Sequence, residues 1–152
     1  MPAAQLSDAC YSYMFEGCTS LKKTPKLPAT QLAELCYFYM FKDCISLTEA
    51  PELPAKSLAD ACYSYMFEGC TSLIKAPELP ATQLVESCYS GMFSNCKSLN
   101  YVKAMFIDVL PGALTGWLSI VSSTGTFVKN IAATWDNSGI VPDGWTIEHA
   151  EQ

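Results

Sequence analysis

The residues able to do chemistry in this chain are few in kind and regular in place. There is a single histidine, His149, near the carboxyl end, so a Ser or Cys nucleophile has no obvious base to activate it. Eight cysteines fall in two columns, Cys10/Cys36/Cys62/Cys88 and Cys18/Cys44/Cys70/Cys96. Members of the two columns stand eight apart, unlike the close pairs of a zinc knuckle. No catalytic residue, metal site or cofactor is expected from this set. The tyrosines make two further columns, Tyr11/Tyr37/Tyr63/Tyr89 and Tyr13/Tyr39/Tyr65. A stacked aromatic strip can bind a sugar face or a protein partner, because Tyr offers a large amphipathic area at low entropic cost; it can equally fill the space between elements.

These columns exist because the chain repeats itself. Cys10-Tyr11-Ser12-Tyr13-Met14-Phe15-Glu16-Gly17-Cys18-Thr19-Ser20-Leu21 returns at Cys36, Cys62 and Cys88, always 26 residues on, with Met14/Met40/Met66/Met92, Phe15/Phe41/Phe67/Phe93 and Leu21/Leu47/Leu73/Leu99 unchanged. A fixed period of this size is the mark of stacked repeats. Within a unit, Pro28 suits a first helical turn, and Leu32, Cys36, Met40 and Phe41 read as one apolar helical stripe, with Glu34 and Lys42 on the wet side. Gly17, Asp43, Gly69 and Asn95 share the column where a left-handed residue would stop that helix. Short extended segments follow at 20–24, 46–50, 72–76 and 98–102, and Pro25, Pro51 and Pro77 end the first three.

The resulting expectation is an α/β solenoid of four 26-residue strand–helix units spanning residues 1–102, the first of them truncated. A parallel sheet would lie on the concave side and the helices on the convex side, because strands approach more closely than helices do. Residues 103–152 read as a degenerate repeat and C-terminal cap. Leu110 falls in the Leu6 column and Leu114 in the Cys10 column; Leu114, Trp117, Leu118 and Val121 keep helical spacing; 125–129 and 144–148 read as strands. At the other end, Met1-Pro2-Ala3 aligns with Leu27-Pro28-Ala29, so the chain is expected to open part-way through a repeat as a fragment. Self-association through that uncapped end is expected with it.

Half of the residues are apolar and only 16% are charged, enough for a real core in a chain of 152. The net charge of −6, with nine lysines and no arginine, argues against nucleic acid as a partner. No run of about 18 apolar residues is present to span a membrane. Because the cysteines recur at apolar positions of a repeat that already has Leu, Met and Phe, they read as free core ladders and not as a disulfide framework. Neighbouring helices would also hold the Cys10 column beyond bridging distance, whereas the Cys18 column lies nearer the turn and is left open.

The segment Phe15-Glu16-Gly17-Cys18-Thr19-Ser20-Leu21 and its three copies, within Met-Phe-x-x-Cys-x-x-Leu and preceded by Leu-Pro-Ala, resembles the BspA-type leucine-rich repeats of bacterial surface proteins. Trp117, Gly125-Thr126-Phe127-Val128-Lys129 and Gly144-Trp145 resemble the ending of gut-bacterial members. The resemblance implies a secreted or lipid-anchored surface protein, extracellular or on the cell surface, that binds proteins or host components without catalysis.

Where the four copies disagree, the stack does not dictate the residue. On the expected strand these positions are Lys22/Thr48/Ile74/Asn100 and Lys23/Glu49/Lys75/Tyr101, the first candidates for a protein- or glycan-binding face. The tyrosine columns are the second. Beside the interaction module stand a structural stalk and a receptor-binding fibre segment of a phage or mobile element.

Overall fold

The computed structural model describes residues 4–151, so the alignment of Met1, Pro2 and Ala3 with the repeat lies outside the described residues. The repeats stack, but they are not built from strands and helices. Five ten-residue runs of turns, 8–17, 34–43, 60–69, 86–95 and 111–120, take the place of the expected helices, and no helix occurs among the described residues. We call these runs the walls of coils 1 to 5.

Two alternating sets of hydrogen bonds define a wall. The amides of Cys10, Ser12, Met14, Glu16 and Cys18 donate to carbonyls three residues back, closing a train of overlapping β-turns. The amides between them, of Ala9, Tyr11, Tyr13, Phe15 and Gly17, donate to Glu34, Cys36, Phe38, Met40 and Lys42 of the next coil at 2.8–3.0 Å. Every second turn has a left-handed third residue. Hence φ is positive at Ala9, Tyr13 and Gly17, at Leu35, Tyr39 and Asp43, at Ala61, Tyr65 and Gly69, and at Ser87, Gly91 and Asn95. Gly17, Asp43, Gly69 and Asn95 are therefore left-handed, as the last of three such residues per wall and not as helix stops. A helix tolerates no left-handed residue at every fourth place.

The four-residue period sends side chains inward in pairs. Cys36 and Tyr37, Met40 and Phe41, then Cys44 are buried, while Phe38, Tyr39, Lys42 and Asp43 stay nearer solvent. Like residues of successive coils then stack. The Phe15/Phe41/Phe67/Phe93 rings lie 5.4–5.6 Å apart and the Tyr11/Tyr37/Tyr63/Tyr89 rings 5.9–6.1 Å apart, all nearly parallel. Coils at this spacing overturn the helical-separation argument for the Cys10 column. All eight cysteines are nonetheless free. Those of the second column are directed elsewhere: the thiols of Cys44, Cys70 and Cys96 donate to the carbonyls of Phe15, Phe41 and Phe67 at 3.0–3.2 Å.

On the opposite side the expected strands shrink to isolated parallel bridges, Lys23↔Glu49 and Lys75↔Tyr101. The cause is proline: Pro25, Pro51 and Pro77, with Pro28, Pro54 and Pro80, remove the N–H groups that a ladder needs. Position 103, the next in the first of those columns, is Lys, and it lies within the first true strand. β1 (Tyr101–Ala104), β2 (Gly125–Asn130) and β3 (Trp145–Ala150) form one parallel sheet in that order. The strands expected at 98–102, 125–129 and 144–148 thus overlap β1, β2 and β3, and four strand–helix units are not formed.

The helix expected over 114–121 is the wall of coil 5, and its register differs from the sequence alignment. The amide of Tyr63 donates to Cys88, but that of Tyr89 donates to Ala113, one residue short of Leu114. Ala113 therefore occupies the Cys10 column. The Tyr11 ring stack ends on Trp117, 6.1 Å from Tyr89, and Trp117 packs against Phe106 and Phe127 in an aromatic cluster completed by Trp135.

Candidate interaction surfaces

The bridge side of the stack carries a groove of about 740 Å³ running along the stack axis, continuous through Glu49, Ala50, Pro51, Glu52 and Pro54 with a second stretch of about 340 Å³. Its buried residues, Pro51, Leu53, Ala76 and Pro77, supply few amide donors, since the two prolines carry none. Charges stand above them. Lys23 Nζ lies 3.3 Å from Glu49 Oε2, and Lys103 Nζ lies 3.3 Å from Glu78 Oε1. Lys75 Nζ sits 4.8 Å above the Tyr101 ring. Among the described residues Glu52, Lys26 and Lys75 carry no ion pair, which leaves one anion and two cations on the groove without an opposite charge.

Five of the positions singled out by disagreement between copies, Lys23, Thr48, Glu49, Lys75 and Tyr101, line this groove. Lys22, Ile74 and Asn100 do not line it, although all three are exposed. The proline columns, first read only as strand ends and helix starts, were the missing part of the surface. Their signal was available: they recur in register beside the columns that vary.

The two tyrosine columns have different fates. Tyr37, Tyr63 and Tyr89 are core, and the hydroxyls of Tyr37 and Tyr89 are buried without a hydrogen-bond partner, so burial drives their phenols well above the usual range. Tyr11, in the first coil, is half-buried. The Tyr13/Tyr39/Tyr65 column lies outside, with rings 5.2 and 4.9 Å apart and Phe38 edge-on to all three. Lys42 Nζ stands 5.0 Å over Tyr39 and 3.8 Å from Glu16. Glu68 is nearby, its carboxyl pushed up by desolvation against the opposing pull of Lys42.

A sugar stacks on an open ring face, and that face is missing in most of this column. Tyr39 is covered on both sides by Tyr13 and Tyr65, and Tyr65 is covered by Tyr39 and by the backbone of Gly91. The outer column therefore offers mainly ring edges and hydroxyls. His149 is exposed on β3, opposite Lys129 of β2, which donates to the Trp135 carbonyl. No helix is long and apolar enough to cross a membrane among the described residues. Compared with protein-family models, curated proteins and solved structures, the chain matches none of them.

Proposed function

We propose that this chain is a non-enzymatic interaction module that seats an extended segment of a protein partner in the groove lined by Pro51, Pro77, Lys23, Glu49, Lys75 and Tyr101. The observation that carries the reading is the contrast between the two halves of each repeat. Core columns are identical in all four copies, whereas Lys23/Glu49/Lys75/Tyr101 changes charge or type at every step and lines the groove. A varied surface on an invariant scaffold suits recognition. The repeated Met-Phe-x-x-Cys-x-x-Leu segment supports placing the module on a bacterial cell surface, where adhesion to a host or partner protein is the role its resemblance implies.

The test is binding of an isolated partner to the wild-type chain and to Lys75→Glu and Tyr101→Ala variants, with Tyr13→Ala as control. Loss in the groove variants with binding kept in the control supports the reading. A partner that is indifferent to both groove variants would remove the groove. A chain that holds two flanking domains apart but binds nothing would be a spacer.

A further inference from the structure

Tyr39 of coil 2 and Tyr65 of coil 3 are the closest tyrosine pair among the described residues, with ring centroids 4.9 Å apart and planes within 11°. Both are partly exposed, whereas Tyr37, Tyr63 and Tyr89 of the inner column are core. Phe38, the one aromatic in a column otherwise made of Ser12, Ser64 and Ser90, stands edge-on to both rings and braces them. Toward coil 4, Tyr65 meets no further tyrosine, because its column ends at Gly91, and its Cε1 edge is turned onto that glycine. The other ortho carbon of Tyr65, Cε2, is the one left for Tyr39.

We propose that Tyr39 and Tyr65 form a modification site, at which hydrogen peroxide acting through a haem peroxidase joins the two phenols ortho carbon to ortho carbon and so ties coil 2 to coil 3. Each phenol gives up one electron and its hydroxyl proton. The two radicals form a carbon–carbon bond, and the hydrogens on the joined carbons move to the oxygens, which restores both aromatic rings. The electrons and protons released reduce one peroxide to water. Rings already held against each other make the encounter intramolecular, which favours it over coupling between chains.

The fate of the proton separates this pair from the inner column. Removing an electron makes a phenol strongly acidic, and the neutral radical forms only where that proton has an acceptor. The hydroxyls of Tyr37 and Tyr89 are buried without a hydrogen-bond partner and have none. Tyr39 is partly open to solvent, and the nearby Glu68 carboxylate, whose Oε2 makes no hydrogen bond, can take a proton. The thiols are poorer targets for the same oxidant, since those of coils 2 to 4 are all buried.

The test is treatment of the full chain with a haem peroxidase and hydrogen peroxide at increasing dilution, read by dityrosine fluorescence of the monomer and by mass mapping of linked peptides. Peptides bearing residues 39 and 65 should be found joined, lighter than their sum by a pair of hydrogen atoms, in a yield that dilution does not change. A chain carrying Tyr13→Phe, in which Tyr39 keeps Tyr65 as its one neighbour in the column, should still couple. Adding Tyr39→Phe or Tyr65→Phe to that chain keeps the ring stack and should cut the monomer's dityrosine by about tenfold or more, whereas adding Tyr63→Phe should leave it unchanged. Cross-links found only between chains, a monomer product that survives loss of either phenol, or no product at all would overturn the proposal.

Discussion

The ring of Tyr65 lies against the backbone of Gly91, in the space a Cβ at position 91 would need. Gly91 breaks the Tyr13/Tyr39/Tyr65 column and at the same time gives its last ring a floor. Gly91→Ala should therefore combine left-handed strain with a clash, whereas Gly17→Ala, at φ +70 with open space around it, meets the strain alone. Urea denaturation should show the Gly91 variant less stable than the Gly17 variant by about 1–3 kcal/mol. Equal losses would mean that the ring does not rest there.

Phe67 sits between Phe41 and Phe93, 5.6 Å from each, with no exposed surface. Phe67→Ala should cost about 3–5 kcal/mol and Met66→Ala about 2–5 kcal/mol, through cavities that rigidly spaced coils cannot close. Phe15→Ala, in the half-covered first coil, should cost less than Phe67→Ala in the same denaturation series.

Burial pushes the thiols of Cys36 and Cys44 up to about 11 and that of Cys96 up to about 12, and Cys62, Cys70 and Cys88 shift the same way for the same reason. The unfolded chain loses these protons near pH 8.5, earlier than the folded one, so it binds fewer protons above that pH. Stability from this source is complete below about pH 8.5 and should fall as pH rises toward 11 and beyond. Denaturation midpoints under reducing conditions at pH 7, 9 and 10.5 should decline in that order; a flat profile would count against buried thiols.

The Lys23–Glu49 pair is largely exposed, with side chains 73% and 63% accessible. Lys23→Ala and Glu49→Ala should each change stability by less than about 1 kcal/mol, which makes them clean probes of the groove. A larger loss in thermal unfolding would show that the pair supports the fold.

Much of the packing was legible in the sequence. Identity down the Cys, Met, Phe and Leu columns marked the core, and Gly17, Asp43, Gly69 and Asn95 marked a left-handed column. What misled was a period of four read as 3.6. Leu32, Cys36 and Met40 of the expected stripe advance by four without the compensating step of three, so on a helix the stripe would drift by about 40° each time. A wall of turns has no such drift, and its other left-handed places fall on Leu35, Tyr39, Ala61 and Tyr65, residue types that do not announce themselves. The strands faded for a reason equally present in the sequence, the doubled proline columns. The groove was half legible: variation found Lys23, Glu49 and Lys75, while the prolines beside them were read only as punctuation. The slip that puts Ala113 in the Cys10 column had no local signal, since Leu114 fits the apolar pattern as well.

The central claim is that each wall bonds to the next coil and not to itself. Scalar coupling across hydrogen bonds, measured by NMR on labelled protein, reads this directly. The amides of Tyr39 and Phe41 should couple to the carbonyl carbons of Ser64 and Met66, which accept them at 3.2 and 2.9 Å. Coupling instead to Leu35 and Tyr37, four residues back, would restore the helix and contradict the turn-walled stack.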